Sequence, residues 1–270
     1  MSFVLATWNI SECVCANWDV NKGIELNPSY NEILRNCNEI VALINRYNID
    51  IICFQEMPIT INGKDIIVKK IIEETELSHY YGIDTYPTFL VKNGNAGIAV
   101  FSRYEFFSTR FSFLKNPGIS KTSQTGKKYY SFNKGIITAE IVLGKDILTI
   151  VTGHGFSFSP FDAVAEDYPE SFREIATCAI GALSSQENVV VAGDFNSEKL
   201  FDILPELNGC FMDKLRGPTT VSGVMEGENF ANGRKLDYFL TSKNVSTKIM
   251  KKISNFSDHY LCIGVCAIRE

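Results

Sequence analysis

At residues 189–198 the chain reads VVVAGDFNSE. An apolar run suited to a buried strand stops on a carboxylate and a carboxamide one residue apart. The ending recurs along the chain. Residues 3–9 (FVLATWN) stop on Asn9, residues 50–56 (DIICFQE) on Glu56, and residues 147–154 (ILTIVTGH) on His154. KLDYFL carries Asp237, and the last apolar run, 260–268, follows Ser257, Asp258 and His259. Strands that are apolar on both faces must be covered on both sides. A chain built from them has to stack its sheets, and the polar strand ends then gather on a rim. Taken singly, each ending has an ordinary use, because Asp and Asn close turns and cap helices. Taken together, they bring Glu56, Asp194, Asp237 and Asp258 toward one edge. Carboxylates crowded in this way repel unless a cation or histidine pairs with them. A hard divalent ion such as Mg²⁺ suits such oxygen ligands. His154, His259, Asn9 and Asn196 add donors for a charged substrate oxygen.

The remaining elements follow from periodicity. Ile33, Cys37, Ile40, Ile44 and Tyr47 recur at helical spacing over residues 31–47. Residues 65–77 and 168–183 read as two further helices. Residues 97–104 and 106–114 read as strands, the second alternating aromatic and polar. GIITAEIVL and DILTIVTGH flank Gly144 and Lys145 as a hairpin. Ser197 is placed to cap a short helix reaching Leu204. Hairpins imply antiparallel pairing. The fold class expected is α/β: a four-layer α/β sandwich, two mainly antiparallel sheets packed face to face with helices outside. Neither a repeat nor a low-complexity linker divides the sequence, so residues 1–270 read as a single domain.

A net charge of −5 argues against a binder that coats nucleic acid through its whole surface. It leaves room for a local basic strip. Residues 106–139 contain no Asp or Glu but carry Arg110, Lys115, Lys121, Lys127, Lys128 and Lys134. The eight cysteines (Cys13, Cys15, Cys37, Cys53, Cys178, Cys210, Cys262 and Cys266) lack the paired spacing of a zinc site. Most lie in apolar runs, where a thiol behaves as a small hydrophobe. The first residues lack the pattern of a secretory leader, and no apolar stretch is long enough to span a bilayer. The expectation is a cytoplasmic protein with reduced thiols and no stable membrane insertion. Composition leaves the oligomeric state open.

WNI, FQE, GHG, GDFNSE, LDYFL and FSDH, in that order from Asn9 to His259, resemble the endonuclease/exonuclease/phosphatase superfamily. The resemblance implies a metal shell of Glu56, Asn9 and Asp258, with Mg²⁺ as cofactor and Mn²⁺ as a substitute. It implies that Asp194 activates the attacking water, that Asn196 binds a phosphate oxygen or places that water, and that His154 and His259 face the phosphate. Asp237 would sit behind His259, fixing its tautomer and favouring its protonated form. The family also places an Arg or Tyr ahead of the His-bearing strand. Tyr129, Tyr130, Asn133 and Lys134 occupy that stretch, and none is assigned the role. Where some members carry an acidic residue two positions after the Asn, this chain has Ser11, so Glu12 is given no function. His79 reads as packing or surface.

The function implied is a Mg-dependent phosphoesterase, foremost a phosphodiesterase or nuclease acting on nucleic acid or a nucleotide. The alternative is a phosphatase or phospholipase-C-type enzyme acting on an inositol phosphate or sphingolipid headgroup. A pseudoenzyme that only binds ranks last, because every expected reactive position is filled. Substrate choice falls to two loops: the lysine-rich strip up to Lys134, and the aromatic loop after His154 with Phe156, Phe158, Phe161 and Tyr168. For the second loop, packing onto the body is the favoured reading.

Overall fold

Alternation along each strand sets the architecture. In β1 (Ser2–Asn9), Phe3 and Leu5 point to one side and Ala6 and Trp8 to the other, and all four are buried. The structure, a computed structural model, describes residues 1–14, 30–88, 93–122, 126, 128–221 and 233–269. A first sheet joins β1 with β2 (Ile51–Ile61), β3 (His79–Pro87), β4 (Gly94–Ser102), β13 (Val245–Ile253) and β14 (Leu261–Ile268), in the order β13-β14-β1-β2-β4-β3. A second joins β5 (Phe106–Phe113), β8 (Gly135–Leu143), β9 (Asp146–His154), β10 (Val189–Asp194), β11 (Met212–Asp213) and β12 (Asp237–Thr241), in the order β11-β12-β10-β9-β8-β5. A small ribbon pairs β6 (Ser120–Thr122) with β7 (Lys128–Tyr130).

The two sheets repeat one pattern. Each has a central parallel pair, β1 with β2 and β9 with β10, flanked by antiparallel neighbours. Phe3, Leu5, Ile51, Cys53 and Val100 from the first sheet meet Ile137, Ala139, Ile150, Val190 and Phe239 from the second in a core between them. On the outer face of the first sheet, α1 (Tyr30–Arg46) and α2 (Ile66–Glu74) bury Ile33, Cys37, Ile40, Ile44, Ile67 and Ile71. On the outer face of the second, α3 (Arg173–Ser185) buries Ile175, Ala176 and Ala179. The result is the four-layer sandwich, with helices outside and mainly antiparallel sheets within.

Several elements differ from the sequence reading. β2 does not stop at Glu56 but runs on to Ile61. The helix expected from 168 begins at Arg173, because a separate turn at Pro169–Ser171 precedes it. Ser197 is a turn residue and not a helix cap: its Oγ accepts from Lys199 N–H at 3.1 Å, and α4 (Leu200–Ile203) starts one residue later without a side-chain cap. β3 and β13 were not anticipated. β13, VSTKIMKKI, is an edge strand whose lysines hide its apolar period and discourage edge pairing. Seven cysteines are described and all carry free thiols, six of them buried; Cys15 and Lys127 lie outside the described residues. Among the described residues no helix is long and apolar enough to cross a membrane. Phe156 and Phe158 of the aromatic loop are buried, with Phe158 stacked on Tyr168 at 5.0 Å and on Phe172 at 6.0 Å.

Candidate active site

Parity and register together bring the polar strand ends to one place. In β10, Val190 and Ala192 face the inter-sheet core, so Asp194 faces it too, at the strand's end. The same alternation aims Asn9 beyond Phe3 and Leu5, His154 beyond Leu148 and Ile150, and Asp237 before Phe239. Parallel pairing sets His154 beside Asp194, and antiparallel pairing sets Asp237 opposite Asp194. β14 runs antiparallel to β1 with Thr7 opposite Cys262, so Asp258 and His259 arrive just past Asn9. Glycine makes the close approach possible. A Cβ at Gly193 would lie 2.4 Å from the Gly153 carbonyl oxygen, and one at Gly155 would lie 2.4 Å from that of Phe195.

Glu56 is the exception. Ile51, Cys53 and Gln55 share the inward face, so regular alternation would turn Glu56 outward. Two residues of β2, Gln55 and Glu56, stand where the register with β4 shifts between Phe54 and Met57. Glu56 takes a left-handed φ of 50° there. This bulge re-aims the carboxylate toward the rim. Gln55 stays inside and ties the sheets together, accepting from Thr7 Oγ1 at 3.3 Å and donating to Thr152 Oγ1 at 3.3 Å.

One oxygen, Asp194 Oδ2, lies at the centre. Asn9 Nδ2 donates to it at 2.9 Å, and Asn196 Nδ2 reaches it at 3.4 Å. His154 Nε2 and His259 Nε2 each stand 3.7 Å away, one carried by each side of the sandwich. Asp194 Oδ1 accepts from Asn196 N–H at 2.9 Å, which holds Asn196 at a left-handed φ of 52° and turns its side chain back toward the carboxylate. Phe195 between them is buried in the outer core, as the one-residue spacing requires. His259 Nδ1 meets Asp237 Oδ2 at 2.8 Å. Glu56 Oε1 is 3.5 Å from His154 Nε2, and Asn9 favours its ionised form. Ser11 Oγ donates to Asp258, and Ser257 Oγ donates to the Asn9 carbonyl at 2.8 Å, pinning this loop to the end of β1. All eight residues expected from sequence are thus joined in one cluster.

Lys134 is the member that sequence reasoning left unassigned. Its side chain is buried, with Nζ 2.9 Å from His154 Nδ1, 3.3 Å from Nε2 and 4.5 Å from the centre of the Tyr86 ring. The signal available was weak: one lysine among several in a basic strip, immediately before an apolar strand.

Environment then separates the two imidazoles. Burial pushes the His154 pKa well down, and Lys134 and His259 push it further, so this ring is neutral. Lysine can only donate, and the nearer nitrogen, Nδ1, is taken as its acceptor, which leaves the proton on Nε2, facing the carboxylates. Burial also works against a charged His259, but Asp237, Asp194 and Asp258 outweigh it and hold that ring protonated. Burial raises Asp194, and Asp237 adds to this, while His259 and the Asn9 hydrogen bond oppose it; the pKa ends at about 7. Burial raises Glu56 as well, with Lys134 opposing and Asp258 reinforcing. Glu56, Asp194, Asp237 and Asp258 thus outnumber Lys134 and the His259 imidazolium.

Relatives with known folds bear on this arrangement. Residues 6–259 match the sequence profile of the Endonuclease/Exonuclease/phosphatase family. No curated protein sequence is significantly similar. An endonuclease/exonuclease/phosphatase from Beutenbergia cavernae DSM 12333 superposes with a TM-score of 0.70 at 16% identity, over 99% of this chain and 72% of that one. A mannosyl-6-phosphatase from Bacteroides thetaiotaomicron VPI-5482 gives 0.63 at 14% identity, over 99% and 100%. The human Nocturnin catalytic domain with bound sulfate gives 0.61 at 15% identity, over 99% and 93%. At such identities the structures speak for the fold alone, and the profile match carries the assignment: this chain belongs to the endonuclease/exonuclease/phosphatase family of phosphoester hydrolases.

Proposed function

We propose that the chain is a Mg²⁺-dependent phosphodiesterase of nuclease type, hydrolysing a phosphodiester in nucleic acid or a nucleotide. The observation that carries this is Asp194 Oδ2 standing 3.7 Å from both a neutral and a protonated imidazole. A base flanked by two donors from opposite sides is what in-line attack on a phosphoryl group needs.

In this reading Asp194 accepts the proton of the attacking water. A positioned base of this kind contributes about 10²–10⁴-fold. Asn196 Nδ2 orients the water or holds a phosphoryl oxygen. His259 Nε2–H and His154 Nε2–H donate to non-bridging oxygens as charge builds. Each such donor is worth about 3–4 kcal/mol in a site closed to water. Asp237 keeps His259 charged and its ring in one orientation. Lys134 adds positive charge on the His154 side.

The donor chemistry suits Mg²⁺. The side chains offer hard oxygens and carry a surplus of negative charge. Among the described residues no three His, Cys, Asp or Glu side chains make a ready cage. Mg²⁺ does not require one, since it is commonly held by one or two carboxylates together with substrate phosphate and water. Glu56 and Asp258 would hold it. Asn9 joins that shell through Glu56, its own Oδ1 being taken by Ser11 N–H at 3.0 Å. When bound, the ion (or Mn²⁺ in its place) supplies Lewis-acid stabilisation of the phosphoryl and leaving oxygens.

The nucleic-acid substrate is supported by the exposed Lys115 and Lys128 of the basic strip that runs on to Lys134, and by exposed Tyr130, over whose ring Lys128 Nζ lies at 5.1 Å. A net charge of −5 favours the second reading, a phosphatase acting on a small or lipid phosphate. The test is purified protein with Mg²⁺ or with chelator, on an aryl phosphodiester, the matching monoester, and a panel of DNA, RNA, inositol phosphates and sphingomyelin. Diester cleavage lost in Asp194→Asn and His259→Ala supports the proposal. Unchanged turnover in both variants refutes it. Activity on the monoester alone selects the phosphatase.

A further inference from the structure

Glu12 has no part in the chemistry above, yet only 1% of it is exposed. Its backbone is left-handed at φ 54°, between Ser11 at 44° and Cys13 at 60°. Three such residues in a row, none of them glycine, are rare, because each Cβ crowds the following carbonyl. The turn is held by its surroundings. Cys13 N–H donates to the Ile10 carbonyl at 2.8 Å, Val14 N–H to that of Ser11 at 3.0 Å, and Asn36 Nδ2 to that of Cys13 at 2.8 Å. The effect of this strained turn is to send a carboxylate inward.

Tyr86 from β3 feels that carboxylate: burial pushes its phenol well above the usual range, and Glu56 and Glu12 push it further. The Tyr86 ring is 6% exposed and stacks on Phe132 at 5.3 Å. Its face lies 4.5 Å from Lys134 Nζ, which is itself 2.9 Å from His154 Nδ1 and 3.3 Å from Nε2. Lysine is a flexible point charge. Burial opposes its charge here, while Glu56, Asp194 and Glu12 all favour it. With the ring face and Glu12 removed, the ammonium would move onto the carboxylates, cap the base and leave His154 free to change tautomer.

We propose that Glu12 and Tyr86 are positioning residues: Glu12 fixes the Tyr86 hydroxyl, and the Tyr86 ring keeps the Lys134 ammonium on the His154 ring and off Asp194. The consequence for catalysis rests on the phosphodiesterase reading; the geometric claim does not. The chain has three histidines, so ring ¹⁵N shifts can be assigned one by one. Lys134→Met should move the His154 ring nitrogens. Tyr86→Phe, which loses one hydroxyl, and Glu12→Ala should each move them the same way, and the double variant no further than either alone. Tyr86→Leu, if it folds, should match Lys134→Met. In turnover, Tyr86→Phe and Glu12→Ala should lower kcat about tenfold with KM within about twofold, since a capped base slows chemistry without removing substrate contacts. His154 resonances unmoved in Tyr86→Phe and Glu12→Ala, or unmoved in Lys134→Met, overturn the proposal, as do additive effects in the double variant. A wild-type protein inactive on every phosphoester would sink the functional reading, and the His154 shifts would still decide this one.

Discussion

Asp237→Asn isolates the charge behind His259. The carboxylate oxygen lies 2.8 Å from His259 Nδ1, and Asp237 is fully buried. At an effective dielectric constant of about 20, a unit charge pair at that distance is worth about 6 kcal/mol, or about 4 pK units. Burial of the ring opposes its charge, so loss of the partner should drop His259 from well above 6.5 to near or below that value. The substitution is close to isosteric. Among the described residues the other carboxylate oxygen, Oδ1, has no hydrogen-bond partner, so the amide displaces no existing bond to them. Two assays follow. A titration of the His259 ring by NMR should show the fall directly. Hydrolysis of an aryl phosphodiester should fall about 10³–10⁴-fold, the scale seen when a carboxylate orienting a catalytic imidazole is neutralised. Stability moves with a defined sign. A histidine whose pKa is raised by folding contributes stability that is full below 6.5 and lost as pH rises through the folded value. Wild-type protein in chelator should therefore lose stability from this pair on the alkaline side, and Asp237→Asn should flatten that slope. If His259 in the variant stays protonated at about pH 8, or turnover remains within about tenfold, the charge-pair argument fails.

Asp194 carries the opposite kind of group. Its folded pKa of about 7 lies above the usual 3.8, so the folded state holds the proton more tightly and stability in chelator should fall between those two values as pH rises. Mg²⁺ should then raise the melting temperature more at pH 8 than at pH 5, and an equal shift at both would contradict the proposed metal shell. Gly193→Ala forces a Cβ to within 2.4 Å of the Gly153 carbonyl in the central parallel pair. Overpacking there should cost about 1–3 kcal/mol and lower the melting temperature by about 3–10 °C, and an unshifted melt would mean that β9 and β10 do not pair as described.

The period of two that makes strands also decides which of their end residues point inward. That is why Asn9, His154, Asp194 and Asp237 were legible in the sequence: the first three extend an alternating series whose earlier members are unmistakably core, and Asp237 begins one. The layer count was legible for the same reason, since strands apolar on both faces need cover on both. Glu56 was found by its place in a motif, although its parity was wrong, and only the bulge against β4 corrects it. A bulge is a mismatch between two strands and leaves no mark in either one alone. The lysines of β13 hid its period, and Pro169 delayed α3, because edge placement and local turn chemistry override the apolar pattern. Lys134, Tyr86 and Glu12 were beyond reach for a deeper reason. They come from a loop, an edge strand and a strained turn, at positions where no repeat constrains direction. Their meeting depends on how two sheets are set face to face, and that setting is decided by long-range packing.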